Sequence, residues 1–202
     1  MLSRRQLMLL AGSAARLAAS AKDFWNIKPP AQWSKGEIYR LANQSPWAKP
    51  VQAWRPGITN SPLKDKVGVL PPTGYVFGPK GVVTWESAQP LRDAFQVALP
   101  PGFTDSYVIG VDGFALGDTP SLDSLSGSTV LRCMGKRKWT ASVAGMAEVT
   151  RGSVVYLFGF ARAPAPLGRD SGEVIFETQF GEWTVRARFR PRDMFYRGAA
   201  AV

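Results

Sequence analysis

The stretch Glu173-Val174-Ile175-Phe176-Glu177-Thr178-Gln179-Phe180-Gly181-Glu182-Trp183-Thr184-Val185-Arg186-Ala187-Arg188-Phe189-Arg190 decides the fold. Apolar and polar residues alternate on both sides of Gly181-Glu182, the period of a half-buried strand. Glycine at the first position of a two-residue loop suits a type II′ hairpin. That register sets Phe180 opposite Trp183, Thr178 opposite Val185, Phe176 opposite Ala187 and Val174 opposite Phe189, all on one face. The other face sets Glu177 against Arg186 and Glu173 against Arg190, leaving Arg188 opposite Ile175. Opposite charges across strands contribute ~0.2–1 kcal/mol per pair. The apolar pattern and the charge pattern therefore agree on one register.

Outward from the hairpin the chain continues as short strands. Tyr107–Val111 and Val154–Phe160 are too continuously apolar to be half-exposed and belong in the middle of a sheet. Thr129–Met134 and Lys138–Val143 read as two further strands around Gly135-Lys136-Arg137. The segment 161–172, with Pro164, Pro166, Gly168 and Gly172, reads as a surface loop. Val67–Leu70 and Tyr75–Phe77 are strand candidates, and Val82–Trp85 follows the turn Gly78-Pro79-Lys80-Gly81. Pro90 opens a short helix with Leu91, Ala94, Phe95 and Ala98 on one face, and Pro100-Pro101 ends it.

Upstream, Trp33-Ser34-Lys35-Gly36-Glu37-Ile38 carries a capping box, with Ser34 and Glu37 exchanging hydrogen bonds and Trp33 and Ile38 flanking them. The helix must stop before Pro46, so it has about ten residues and cannot stand alone. Trp25, Trp33 and Trp47 are its natural docking groups. Residues 48–66 read as an extended, proline-rich connector. The expected fold is α+β and β-rich: a mainly antiparallel sheet or sandwich with two short helices and an aromatic N-terminal arm. The expected units are 1–21, an arm over 22–66 and a β-rich domain over 67–202.

Residues 1–21 have the order of a bacterial signal peptide: Arg4-Arg5, a short apolar stretch from Leu7 to Ala15, then Ala19-Ser20-Ala21. Ser3-Arg4-Arg5-Gln6-Leu7 is also similar to a twin-arginine export signal. Arg16 interrupts the apolar run, which is too short to span a bilayer. Cleavage before Lys22 would place the mature chain in the periplasm or outside the cell, with no stable membrane span. Of the net charge of +10, it would remove three arginines and no acid, leaving +7.

Composition excludes much chemistry. The 202 residues include no histidine and one cysteine. No Ser-His-Asp or Cys-His nucleophile system, no histidine base and no histidine-ligated metal can be built. Cys133 cannot form an internal disulfide and, in an apolar run, reads as a buried thiol. Arg186, Arg188, Arg190 and Arg192 look like a nucleic-acid stripe in linear order, but folding turns two of them toward carboxylates. No nucleic-acid partner is expected.

The ordered set Trp33-Ser34-x-x-Glu37, Ser45-Pro46-Trp47-Ala48, Thr84-Trp85-Glu86-Ser87-Ala88-x-Pro90-x-Arg92 and Glu173-Val174-x-Phe176-x-Thr178, closing on Asp193-Met194-x-Tyr196-x-Gly198, resembles a group of uncharacterised exported bacterial proteins. The resemblance implies export and no assigned activity. The segment 115–150 and the ending Ala199-Ala200-Ala201 depart from the group's pattern.

The remaining chemistry is sparse. Asp112, Asp118 and Asp123 do not have the spacing of a calcium loop, and Gly110, Gly113 and Gly117 lack the Lys-Ser/Thr pair of a phosphate cradle. Glu86 with Asp93, or Asp112 with Asp118, could serve a carboxylate-dependent hydrolase if they converged. Ser34 and Lys35 are adjacent, not spaced for Ser-Lys catalysis. No catalytic residue, cofactor or metal ligand is assigned. Trp54, Trp85 and Trp139 are the tryptophans left over for contact with a ligand or partner, either a carbohydrate or an envelope protein. The expected function is a non-catalytic binding or structural role in the bacterial envelope, with a carbohydrate-binding module or hydrolase as the alternative.

Overall fold

The C-terminal hairpin forms in the register that its alternation sets. The computed structural model describes residues 23–58, 73–115, 120–133, 137–148, 154–163 and 166–202. In it, Val174–Phe180 pairs antiparallel with Trp183–Phe189, through every expected partner from Val174↔Phe189 to Phe180↔Trp183. Gly181 sits at φ +57° while Glu182 does not have positive φ, as a type II′ turn requires. Glu177 accepts from Arg186 Nε at 2.6 Å. The expected Glu173–Arg190 ion pair is not made. Both residues lie beyond the last paired position, where nothing holds two long side chains in one geometry.

Seven more strands join the hairpin: β1 (Ala48–Ile58), β2 (Thr73–Trp85), β3 (Ser106–Asp112), β4 (Val130–Cys133), β5 (Arg137–Thr140), β6 (Val143–Glu148) and β7 (Val154–Ala161). With β8 (Val174–Phe180) and β9 (Trp183–Phe189) they make one antiparallel sheet, ordered β5-β4-β8-β9-β1-β2-β3-β7-β6. A separate pair, β10 (Phe195–Tyr196) and β11 (Ala199–Ala200), forms the C-terminal tail.

The two edges of this sheet are consecutive pieces of chain. Ala141 N–H donates to the Thr129 carbonyl at 3.0 Å, and Ser142 N–H donates to the Gly159 carbonyl at 2.9 Å. One residue still belongs beside β4, while the next belongs beside β7. The segment 137–148 thus changes partner at Ala141-Ser142 and draws β5 and β6 together, curling the sheet into a barrel-like wall. Its interior is filled by side chains, as expected of a small barrel. Trp85 lies 5.1 Å from Phe189 and 5.7 Å from Tyr107 between ring centroids, and Phe158 lies 5.8 Å from Phe176.

Two sequence expectations fail on β1 and β2. The connector from residue 48 is a strand through Ile58, and residues 59–66 lie outside the described residues, as do 1–21 and the strand candidate Val67–Leu70. Pro50 and Pro56 obscured its alternation. They are tolerated because β9 pairs with β1 only at Trp54↔Thr184, so few ladder hydrogen bonds are demanded on that side. The apparent turn Gly78-Pro79-Lys80-Gly81 runs through the middle of β2. A Cβ on Gly78 would stand 2.6 Å from the Trp183 ring, and one on Gly81 would strike the Phe114 ring. These glycines make room for rings lying over the strand. Between Gln52↔Lys80 and Trp54↔Phe77, β2 carries one extra residue, a bulge that uses Pro79's missing donor.

The described residues include four α-helices: α1 (Phe24–Ile27), α2 (Lys35–Asn43), α3 (Gln89–Phe95) and α4 (Leu122–Ser128). Only α2 and α3 are announced by apolar periodicity. The α2 capping box is formed, with Ser34 Oγ accepting from Glu37 N–H at 3.2 Å and Glu37 Oε2 accepting from Ser34 N–H at 2.8 Å. α3 ends at Phe95, short of Ala98, because Gln96 turns into the left-handed region at φ 52°. The arm packs on its own sheet. Phe24, Trp25, Trp33 and Trp47 are buried and meet edge to face, with Trp25 5.4 Å from Trp47 and Trp33 6.2 Å from Tyr196. Their cluster is continuous with the barrel core.

Candidate functional site

Strand parity separates the three candidate tryptophans. Trp85, at the inner end of β2, is fully buried between Tyr107 and Phe189 and cannot touch a ligand. Trp139 pairs opposite the buried Leu131 and packs, half-buried, against the core. Trp54 alone stands on the outer face of the sheet, half-buried.

Around Trp54 the outer face is aromatic. The register Trp54↔Phe77 and Pro56↔Tyr75 puts these four side chains on one side of the β1–β2 ribbon. Tyr75 and Phe77 are each 66% exposed. Trp54 meets Tyr75 edge-on, with centroids 5.0 Å apart and planes at 89°. The two rings therefore do not present one flat plane. On the opposite side of the ribbon, Arg55 stacks 4.8 Å from the Trp183 ring and pairs with Glu182. Tyr75 and Phe77 were missed as surface residues because Tyr75-Val76-Phe77 is apolar at every position. It reads as a buried strand unless its partner β1 is recognised.

Beside the ribbon runs a row of cations. Lys138 stands directly opposite Arg132, Arg132 opposite Ile175, and Ile175 opposite Arg188, across β5, β4, β8 and β9. Lys138, Arg132 and Arg188 are exposed, and Ile175 between them is half-buried. Among the described residues no carboxylate pairs with any of the three. Arg186 links the row to the ribbon, for its guanidinium binds Glu177 and lies 5.6 Å from the Trp54 ring. Of the four arginines that form a stripe in linear sequence, Arg186 is neutralised and Arg188 is not. The row that emerges instead draws on strands far apart in the chain, which no linear reading could collect.

The carboxylates are otherwise engaged. Asp93 accepts from Tyr196 Oη at 2.7 Å and from Gln89 Nε2 at 2.6 Å. Glu86 is buried, 3% exposed, with Oε1 only 2.8 Å from where a Cβ on Gly110 would stand. Asp118 lies outside the described residues. Among the described residues no three His, Cys, Asp or Glu side chains gather as a metal site, and no helix is long and apolar enough to cross a membrane. Burial pushes the Lys49 amine below its ordinary value, with Asp193 opposing and Arg190 adding to the shift. That amine donates to the Ser45 carbonyl at 3.1 Å. The Cys133 thiol is buried and donates to the Ser171 carbonyl. No family model, curated protein or solved structure matches the chain.

Proposed function

We propose that the chain is an exported, non-catalytic binding protein of the bacterial envelope that holds its partner on the outer face of the β1–β2 ribbon. The observation that carries the contact surface is the pair Tyr75 and Phe77, each 66% exposed beside Trp54 on paired strands. Large aromatic side chains left in water on a rigid sheet are costly unless something covers them. Charged neighbours on β9 give the surface a polar rim, the arrangement of a recognition face. Export is supported by the order of residues 1–21 and by a single thiol that has no partner for mispairing.

The test is purification of the native protein from cell fractions, with mass spectrometry of its N-terminus and of whatever accompanies it. An N-terminus at Lys22 in an envelope fraction is expected, with a companion that is lost from Tyr75→Ser/Phe77→Ser. Intact Met1 on a cytosolic protein would overturn the export reading. A companion retained by the double variant would overturn the assignment of the surface.

A further inference from the structure

From the row Lys138–Arg132–Arg188 and its aromatic flank, we infer that the outer face of β5-β4-β8-β9 binds a linear acidic glycan, a chain of sugar rings bearing carboxylates. The choice of a glycan over other polyanions rests on the export reading; the row itself does not. Neighbouring strands lie ~4.8 Å apart, so Lys138 and Arg132 are about one such spacing apart, and Arg132 and Arg188 about two. Like charges directly opposite across a strand pair are destabilising. Lys138 opposite Arg132 is such a pair, and no described carboxylate relieves it. A face that needed only solubility would intersperse the two signs.

The charges that face the row are few. β8 carries Glu177 and Glu173 on the same side as Ile175. Glu177 is taken by Arg186, and Arg190 lies at the register position beyond Phe189, opposite Glu173. The excess is positive, and it is distributed across strands rather than along one. The sheet is curled, so a row running across its strands follows a convex path. A flexible polymer can follow such a path, whereas a flat bilayer meets only part of it. At its β9 end the row reaches Arg186 and Trp54, and beyond them Tyr75 and Phe77, where the apolar C–H faces of sugar rings can rest.

The experiment is titration of the full-length protein with polygalacturonate at low and physiological salt, against a single-stranded oligonucleotide and anionic phospholipid vesicles. Saturable polygalacturonate binding is expected to fall at least tenfold in the triple variant Arg132→Gln/Lys138→Gln/Arg188→Gln. It is expected to stay unchanged in Lys35→Gln, an exposed cation on α2. All three substituted side chains are exposed, and unchanged circular dichroism of the triple variant confirms that the fold is intact. A loss in log affinity per charge removed that is the same in the triple variant as in Lys35→Gln would mean that net charge alone binds, and would overturn the site. Absence of polygalacturonate binding at low salt, or tighter binding of the oligonucleotide or the vesicles, would overturn the ligand class. None of these outcomes depends on the compartment, which the N-terminal measurement reads separately.

Discussion

The indole N–H of Trp47 donates to the main-chain carbonyl of Ala201 at 2.6 Å, across 154 positions of sequence. This bond fastens the start of β1 to the C-terminal tail, inside a cluster where Trp47 is fully buried. Trp85, of equal size and equally buried, has an indole N–H with no acceptor among the described residues. The two rings bury similar apolar area, so they differ mainly in this hydrogen bond. Trp47→Phe leaves a buried carbonyl without its donor, whereas Trp85→Phe removes an unmatched polar group. The expectation is that Trp47→Phe costs ~1–3 kcal/mol more than Trp85→Phe. Urea unfolding midpoints measure the difference, and equal midpoints would show that the Ala201 contact is absent in solution.

The reach of sequence reasoning follows from these same residues. Trp25, Trp33 and Trp47 were legible as docking groups because a helix of about ten residues cannot be stable unless something covers its apolar stripe. The hairpin register was legible because period-two burial and charge pairing constrained it independently. What was hidden is non-local. Nothing near Arg132 shows that Arg188 will stand two strands away, since the β4–β8 ladder, from Val130↔Glu177 to Cys133↔Val174, joins segments far apart in the chain. β1 was hidden for a local reason, because Pro50 and Pro56 erase the alternation that identifies a strand. α4 was hidden because Leu122-Asp-Ser-Leu-Ser-Gly-Ser128 has only two apolar residues. It is held by the Ser121 cap and the buried Leu125 rather than by an amphipathic stripe.

Two glycines make opposite predictions. Gly181 holds φ +57° in the hairpin turn, a conformation that penalises any Cβ. Gly181→Ala is expected to destabilise by ~1–2 kcal/mol. Gly127, within α4, has no positive φ, and a Cβ added there would meet nothing within 4 Å. Gly127→Ala is expected to stabilise by ~0.5–1 kcal/mol, since alanine loses less backbone entropy in a helix. Thermal unfolding of both variants reads the signs, and a loss of stability in Gly127→Ala would count against α4.

The α2 capping box predicts a response to acid. The hydrogen bond from Lys28, then the Ser34 backbone N–H, hold the Glu37 carboxyl down at about 2, from an ordinary value of 4.5. A carboxyl depressed in the folded state stabilises above its unfolded value. That contribution is lost as pH falls from 4.5 towards 2. Glu37→Gln should therefore flatten the acid limb of the stability profile within this window and leave its shape above about pH 5 unchanged. Ser34→Ala, which removes the other half of the box, is expected to cost ~1 kcal/mol at neutral pH. An acid limb identical in wild type and Glu37→Gln would show that the box is not closed in solution.

The tail predicts a response to alkali, through the contact that joins β10 to α3. Tyr196 Oη donates to Asp93 at 2.7 Å. Burial, then the hydrogen bond and negative charge of Asp93, push the phenol up to about 12 from its ordinary 10. A phenol raised in the folded state favours the neutral form there. Its contribution is complete below pH 10 and is lost as pH rises from 10 to 12. Titrating tyrosinate absorbance in the folded protein should show one tyrosine delayed well beyond an ordinary phenol. Asp93→Asn keeps an acceptor but removes the charge, so the delayed midpoint should move down towards 10. The same variant should make stability less sensitive to alkali, since less of the Tyr196 shift remains to be lost. A delayed tyrosine that does not respond to Asp93→Asn would mean that burial alone raises it and that Asp93 does not hold the tail.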